Sequence, residues 1–530
     1  MGNRPALRHD ASGEVGAGKP AADPSAGQKA PERGARERAM SADGREFEKA
    51  LRKELRRGVK GESDKLAENL WALPEELGPE WGYARGGTGL LLGRREGRLI
   101  GWSDDRHVLT VAGTRGGKGA SLIIPNLLLY GGSVLAIDPK GELARIAGRQ
   151  RARLGKLVVL DPFGENGLWP TGHYNPLDEL DPKGREVIDE AGAIAQALVV
   201  YSGQGDPHWT SAARALLRAL ILLVLRLDQQ WRNLVSVREL LMLTHPALTA
   251  AAKAQGLQPA LALFKMMVGL GDEFERVVCG QGQAFLDMAE KERESVLSEA
   301  RTQTQFLDSP ALREVLKRSD FRLKDLKAGT LSVFLCLPAR HMDTHDRWLR
   351  VIINLAVGAL EPRHSTKSTS DQAVLLLLEE FPVLKHMEKL EAAAGQLAGS
   401  AVRLWVVVQN LGQIKRHYDK GWETFIANSG VITAFANNDL ETLGYLRGKL
   451  GDVPMLLTRV SGASSSALLG GARPMQDDLR EAALMETDEL ARGFERGKRR
   501  MLVLAAGQQP LIVERMLYFE DPMFKGMFDQ

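Results

Sequence analysis

The sequence predicts an α/β fold, a parallel-rich sheet flanked by helices and interrupted by an inserted all-α region. Three observations carry this. Apolar runs that end in an acid recur with helical stretches between them, as in residues 133–138 (SVLAID), 157–161 (LVVLD) and 373–380 (AVLLLLEE). Such runs belong to a parallel sheet covered on both faces, with functional groups at the carboxyl ends of its strands. A β-branched run, 108–111, feeds a glycine-rich turn and then an apolar helical pattern. From about residue 181 to 326 helical periodicity replaces the strand texture, as in SAARALLRALILLVLRL.

The elements follow in order. Residues 1–44 are rich in Gly, Ala, Pro, Ser and scattered charge, with too little apolar surface to offset ordering entropy, and are expected to be disordered. The alternating charges of FEKALRKELRR predict a solvated helix over 45–73, with a basic arm that touches nucleic acid or acidic lipid as the competing reading. Residues 80–106 read as a small hairpin leading into the core. The first part of the α/β domain is placed at 101–180, the all-α domain at 181–326 and the second part at 327–530, leaving 45–100 as an N-terminal helix and hairpin region. In that second part LSVFLCL resumes the strands and residues 346–360 form an amphipathic helix. A polar linker covers 362–371, and RLWVVVQ and VITAF continue the alternation. A loop of low order is expected over 461–476, before a last strand pair, MLVLAAG and PLIVERM.

Composition limits the classes. With 44% hydrophobic and 26% charged residues the 530-residue chain is ordinarily globular, and a formal net charge of +3 says nothing about nucleic acid. Cys279 and Cys336 lack nearby partners, which argues against a disulfide framework or a zinc site and makes a reducing cytoplasm the simplest compartment. No run approaches the ~18 apolar residues of a membrane span, and the nearest, 216–227, is interrupted by Arg218 and Arg226.

The strand, glycine turn and helix of 108–121 form the setting of a phosphate-binding loop. Successive backbone N–H groups face one anion, a lysine adds a point charge, and the new helix points its positive end at the same place. Gly113, Thr114, Arg115, Gly116, Gly117, Lys118, Gly119, Ala120 and Ser121 are therefore the candidate nucleotide-binding residues. Ala112 fills the first glycine position of the usual pattern, and Gly119 the position of the Mg²⁺-binding hydroxyl. A glycine-rich helix entry that merely contains a lysine is the alternative. Glu379 and Glu380, at the end of an apolar strand, supply the second element: an acid there holds Mg²⁺ and its neighbour polarises the attacking water. Two glutamates where a strand meets solvent would look the same. Gln409, after WVVV, offers an amide to a γ-phosphate or to water. The histidines of HMDTH lack the glutamate of H-E-x-x-H, and Pro338 and Asp343 suggest a loop with a helix N-cap rather than helix interior.

With these residues in view the chain resembles the conjugative coupling ATPases of type IV secretion systems. These are RecA-like hexameric motors related to FtsK-type DNA translocases. The resemblance runs from about residue 100 to the C-terminus. It rests on GTRGGKGAS with IIPNLL behind it, IDPKGE, VLDPFG with YNPL, DPHWTSAARALLRALI, VLSEARTQTQFLDSP, SDFRLKDL, DTHDRWLR, LLLLEEFPVL, VVVQNLGQI, WETFIANSG, FANNDLETLGYL and YFEDP. It implies a RecA-like P-loop ATPase, stimulated by DNA and dependent on ATP and Mg²⁺. In it Lys118 binds the β/γ-phosphates, Glu379 the Mg²⁺, Glu380 activates water and Gln409 senses the γ-phosphate. It also implies a homohexamer that handles DNA without sequence preference. The all-α domain would meet relaxase, relaxosome or effector proteins and deliver them to the secretion channel. A neighbouring subunit's arginine would reach the γ-phosphate, with Arg403 and Arg416 as the two candidates for that role and nothing in the residues to choose between them. Two departures stand out: the family more often has Asp-Glu at 379–380, and its members usually begin with transmembrane helices. A recruiting partner at the inner membrane would replace that anchor. Two other functions fit the residues, a soluble docking factor with weak or regulatory nucleotide binding and an FtsK-like cytoplasmic DNA pump.

Overall fold

The computed structural model describes residues 71–201, 206–361, 372–397, 399–460 and 475–529. The readings of 1–44, of 362–371 and of most of 45–73 and 461–476 lie outside them. Residues 71–73 are irregular, and Met475 and Gln476 open a strand.

The described residues contain thirteen strands. They are β1 (Leu90–Arg95), β2 (Arg98–Trp102), β3 (His107–Ala112), β4 (Ser133–Ile137), β5 (Lys156–Leu160), β6 (Leu331–Leu335) and β7 (Val374–Leu378). After them come β8 (Val402–Val408), β9 (Ser429–Phe435), β10 (Asp452–Val460), β11 (Met475–Ala483), β12 (Arg500–Ala505) and β13 (Leu511–Glu514). Eleven form one sheet in the order β2-β1-β13-β12-β9-β3-β8-β7-β4-β6-β5, while β10 and β11 pair separately. From β9 to β5 every pairing is parallel, and from β9 outward to β2 every pairing is antiparallel. The expected hairpin is β1–β2, and the expected last pair is β12–β13. Both belong to the main sheet.

Alternation along the strands divides the core. Leu109, Val111, Leu135, Ile137, Leu376 and Leu378 face one apolar layer, and Val108, Val134, Ala136, Leu375 and Leu377 face the other. The first layer continues into the helices between β5 and β6, including Pro207–Val224, Leu234–Leu241 and Glu290–Gln303, and into Ala339–Leu360. Between β5 and β6 all the described regular elements are helices. The second layer takes in Ile124–Leu129 and Glu142–Leu154.

The amphipathic helix expected from 346 begins earlier, at Ala339, so His341 and His345 lie inside it and not in a loop. Pro338 occupies its N-cap, where a missing N–H costs nothing. The two rings, one turn apart, pack on Phe163, His341 stacked at 4.2 Å and His345 edge-on at 5.5 Å. Among the described residues no cluster of His, Cys, Asp and Glu is arranged to hold a metal. Both cysteines are free, and no described helix is long and apolar enough to cross a membrane.

Candidate nucleotide site

Strand order explains how distant residues meet. In the sheet β8 lies between β3 and β7, so the loop leaving β3 and the acids leaving β7 flank the end of β8, where Gln409 sits. Lys118 Nζ is 3.9 Å from Glu379 Oε1 and 3.9 Å from Glu380 Oε2. Gln409 closes the gap: Thr114 Oγ1 donates to its Oε1 at 2.7 Å, and its Nε2 donates to Glu380 Oε1 at 2.7 Å and Oε2 at 3.3 Å. The Gln409 backbone is fixed independently, its N–H donating to Gln413 Oε1 at 2.8 Å.

The loop owes its shape to its glycines. A Cβ on Gly113 would overlap the Ala436 carbonyl oxygen, so only glycine lets the chain leave β3 this close to the residue after β9. Gly117 has φ +90°, open to glycine and strained for other residues. Ala112 is the last, fully buried residue of β3, where a side chain fits, so the loop proper starts at Gly113. The following helix opens as a π-helical turn, Gly119–Ile123, before the α-helix Ile124–Leu129. Pro125 is the second residue of that α-helix and follows directly on the π-helical turn.

Burial pushes the Glu379 carboxyl up to about 7; Lys118 pulls it down, while Asp138 and Glu380 push it further up. Lys118 and Glu379 each keep 16% of the side chain exposed, so the pair is reachable from solvent. Glu380 has φ +55°, a left-handed turn that costs a non-glycine residue about 1 kcal/mol. The other strand-end acids serve the fold. Asp138 accepts from the Ala144 N–H at 2.8 Å and Asp161 from the Asn166 N–H at 2.7 Å, each tying down the turn after its strand.

For Mg²⁺ the donor set is sparse but usable. Gly119 offers no hydroxyl, although a Cβ there would meet nothing within 4 Å. Ser121 is no substitute, because its hydroxyl donates to the Gly117 carbonyl at 2.8 Å and accepts from Arg515 at 3.1 Å. Glu379 remains. Mg²⁺ is commonly held by one or two carboxylates with substrate phosphates and retained waters, and Glu379 fits that pattern.

Sequence reasoning did not identify Arg515. It is 6% exposed, donates to the Gly116 carbonyl at 2.7 Å, and lies 4.2 Å over the Phe435 ring. Burial, then Arg499 and Arg496, lowers its pKa to about 10. A lone basic residue ending the apolar run PLIVE was the available signal. Arg403 and Arg416 separate clearly. Arg403 is buried near the start of β8, at the opposite end from Gln409, and donates to the carbonyls of Thr88 and Asp104, so it cannot extend to another subunit. Arg416 is exposed on the helix Leu411–Tyr418, which starts just after Gln409.

The sequence model of the family described as "Type IV secretory system Conjugative DNA transfer" matches residues 79–529. The conjugal transfer protein TraG of Escherichia coli is 27% identical over 452 residues, covering 80% of this chain and 69% of that protein. Protein VirD4 of Agrobacterium fabrum is 27% identical over 437 residues, covering 80% of this chain and 60% of its own. The bacterial conjugative coupling protein TrwBdeltaN70, in an unbound monoclinic form, aligns with a TM-score of 0.59 at 14% identity, over 85% of this chain and 96% of that one. TrwB in complex with ADP and Mg²⁺ aligns at 0.55 and 15% identity, over 85% and 94%. At such identity the likeness is one of fold, a RecA-like α/β architecture.

Proposed function

The chain belongs to the type IV secretory system conjugative DNA transfer family, and on that premise we propose that it is an ATP-driven coupling motor. It works as a hexamer and passes DNA or a nucleoprotein to a secretion channel. The observation that carries this reading is Lys118 facing Glu379 and Glu380 at 3.9 Å, with Gln409 bridging Glu380 to the loop.

Phosphoryl transfer needs positioning and charge more than covalent chemistry. The glycine-loop N–H groups and the Lys118 ammonium receive the β- and γ-phosphate oxygens, exchanging the loose contact with two acids for a tighter one with phosphate. Glu379 would hold the Mg²⁺, which when bound would supply positive charge beside the phosphates. Glu380 accepts the proton of the attacking water, and Gln409, within reach of both Glu380 and the loop, reads whether the γ-phosphate is present. The 181–326 helices dock relaxase or effector proteins.

Hydrolysis of ATP by purified protein at ring-forming concentration, with Mg²⁺ and with or without DNA, tests this. DNA should raise the rate, and Lys118→Ala or Glu380→Gln should abolish it. A wild-type rate no higher than that of Lys118→Ala would end the motor reading.

A further inference from the structure

Gln409 has one side chain and two very different neighbours, and the orientation of its amide decides what Glu380 feels. A carboxylate accepts only, so the amide must turn its NH₂ toward Glu380 and its oxygen toward Thr114. That oxygen is then satisfied by a donor from the glycine loop, the Thr114 hydroxyl at 2.7 Å. Thr114 is exposed, 295 residues from Gln409 in sequence, and its hydroxyl makes no other hydrogen bond among the described residues. Because Gln413 and Asn437 hold the Gln409 backbone, rotation of the side chain is the freedom left.

We infer that Thr114 is a positioning residue: its hydroxyl fixes the Gln409 amide so that the hold on Glu380 depends on the conformation of the glycine loop. With the loop as seen, Gln409 occupies acceptor sites of Glu380 that an attacking water would use. When a triphosphate draws the loop's donors toward itself, the Thr114 link is the contact that transmits the change, and the amide turns from the base. This rests on the proposed nucleotide reading and adds to it a route from the loop to the base that does not pass through Lys118.

The test compares Thr114→Val, which keeps the shape and removes the hydroxyl, with Thr114→Ser, which keeps the hydroxyl and removes the methyl. Steady-state ATP hydrolysis and equilibrium binding of a fluorescent ATP analogue are measured for each, beside wild type and Lys118→Ala. The expected result is a fall in kcat of at least fivefold in Thr114→Val, with analogue affinity within twofold of wild type, and a return to the wild-type kcat in Thr114→Ser. An unchanged or raised kcat in Thr114→Val, an affinity loss matching the kcat change, or a Thr114→Ser variant behaving like Thr114→Val would each overturn the inference. If Lys118→Ala also binds and hydrolyses like wild type, the nucleotide reading itself has failed, and that outcome is separable from the others.

Discussion

Glu379 is the residue on which stability and function pull in opposite directions. Its carboxyl titrates near 7 because burial disfavours the charged form, against an ordinary value of 4.5. Between those values the folded protein holds a proton that the unfolded chain releases. This group's contribution to stability is therefore full below about 4.5 and is lost as the pH rises through 7, at about 1.4 kcal/mol per pH unit inside the window. Glu379→Gln removes the charge that is hard to bury. The variant should melt above wild type at pH 8, with the difference shrinking toward pH 5, while losing Mg²⁺-dependent nucleotide binding. Thermal unfolding across pH, paired with an analogue titration with and without Mg²⁺, checks both halves. A Gln variant less stable than wild type at pH 8 would show that the Lys118 attraction outweighs burial.

At the scale of elements, the strands whose ends carry chemistry are legible because each announces itself locally. A mostly apolar run marks β4, β5 and β7, and the acid after it marks where the strand leaves the core. The joining of β1–β2 to β12–β13 was not legible, because edge pairing is a contact between chain ends with no signal in either segment. The Ala339–Leu360 start was misread for a physical reason: Pro338 looks like a breaker, yet proline is acceptable just before a first helical turn. Arg515 was hidden because two of its hydrogen-bond partners are backbone carbonyls, which leave no mark in sequence, and the third, Ser121, lies 394 residues away. It ties the end of β13 to the glycine loop, through Gly116 and Ser121, and to the Arg496 carbonyl at 3.1 Å. Lysine cannot span these acceptors with one ammonium group, so the substitution is not conservative. Arg515→Lys should cost about 2 kcal/mol, from charged hydrogen bonds lost in a buried site, and should raise the KM for ATP several-fold by freeing the loop. Denaturant unfolding and steady-state kinetics check it. An unchanged KM with lowered stability would make Arg515 a fold residue alone.

For the whole molecule, the Thr114–Gln409–Glu380 chain and the Lys118 pairs come from three strand ends of one subunit, but phosphoryl transfer in this reading also uses a cation from the next. The fold narrows that role to one of the two arginines considered. Arg403 is committed to the carbonyls of Thr88 and Asp104 near the start of β8. Arg416 is exposed on Leu411–Tyr418, the helix that follows Gln409, and forms no ion pair among the described residues. A residue that acts only across a subunit boundary should be silent in the isolated subunit. Arg416→Ala should therefore bind nucleotide like wild type at dilution, yet lose hydrolysis by a factor on the order of 10³ at ring-forming concentration, the usual contribution of such an arginine. Mixing provides the sharper test. Glu380→Gln subunits, which lack the base but keep Arg416, should restore activity to Arg416→Ala subunits, since each defect then sits on a different side of a shared site. Mixed rings no faster than Arg416→Ala rings would assign the arginine to its own subunit's fold and remove it from the interface.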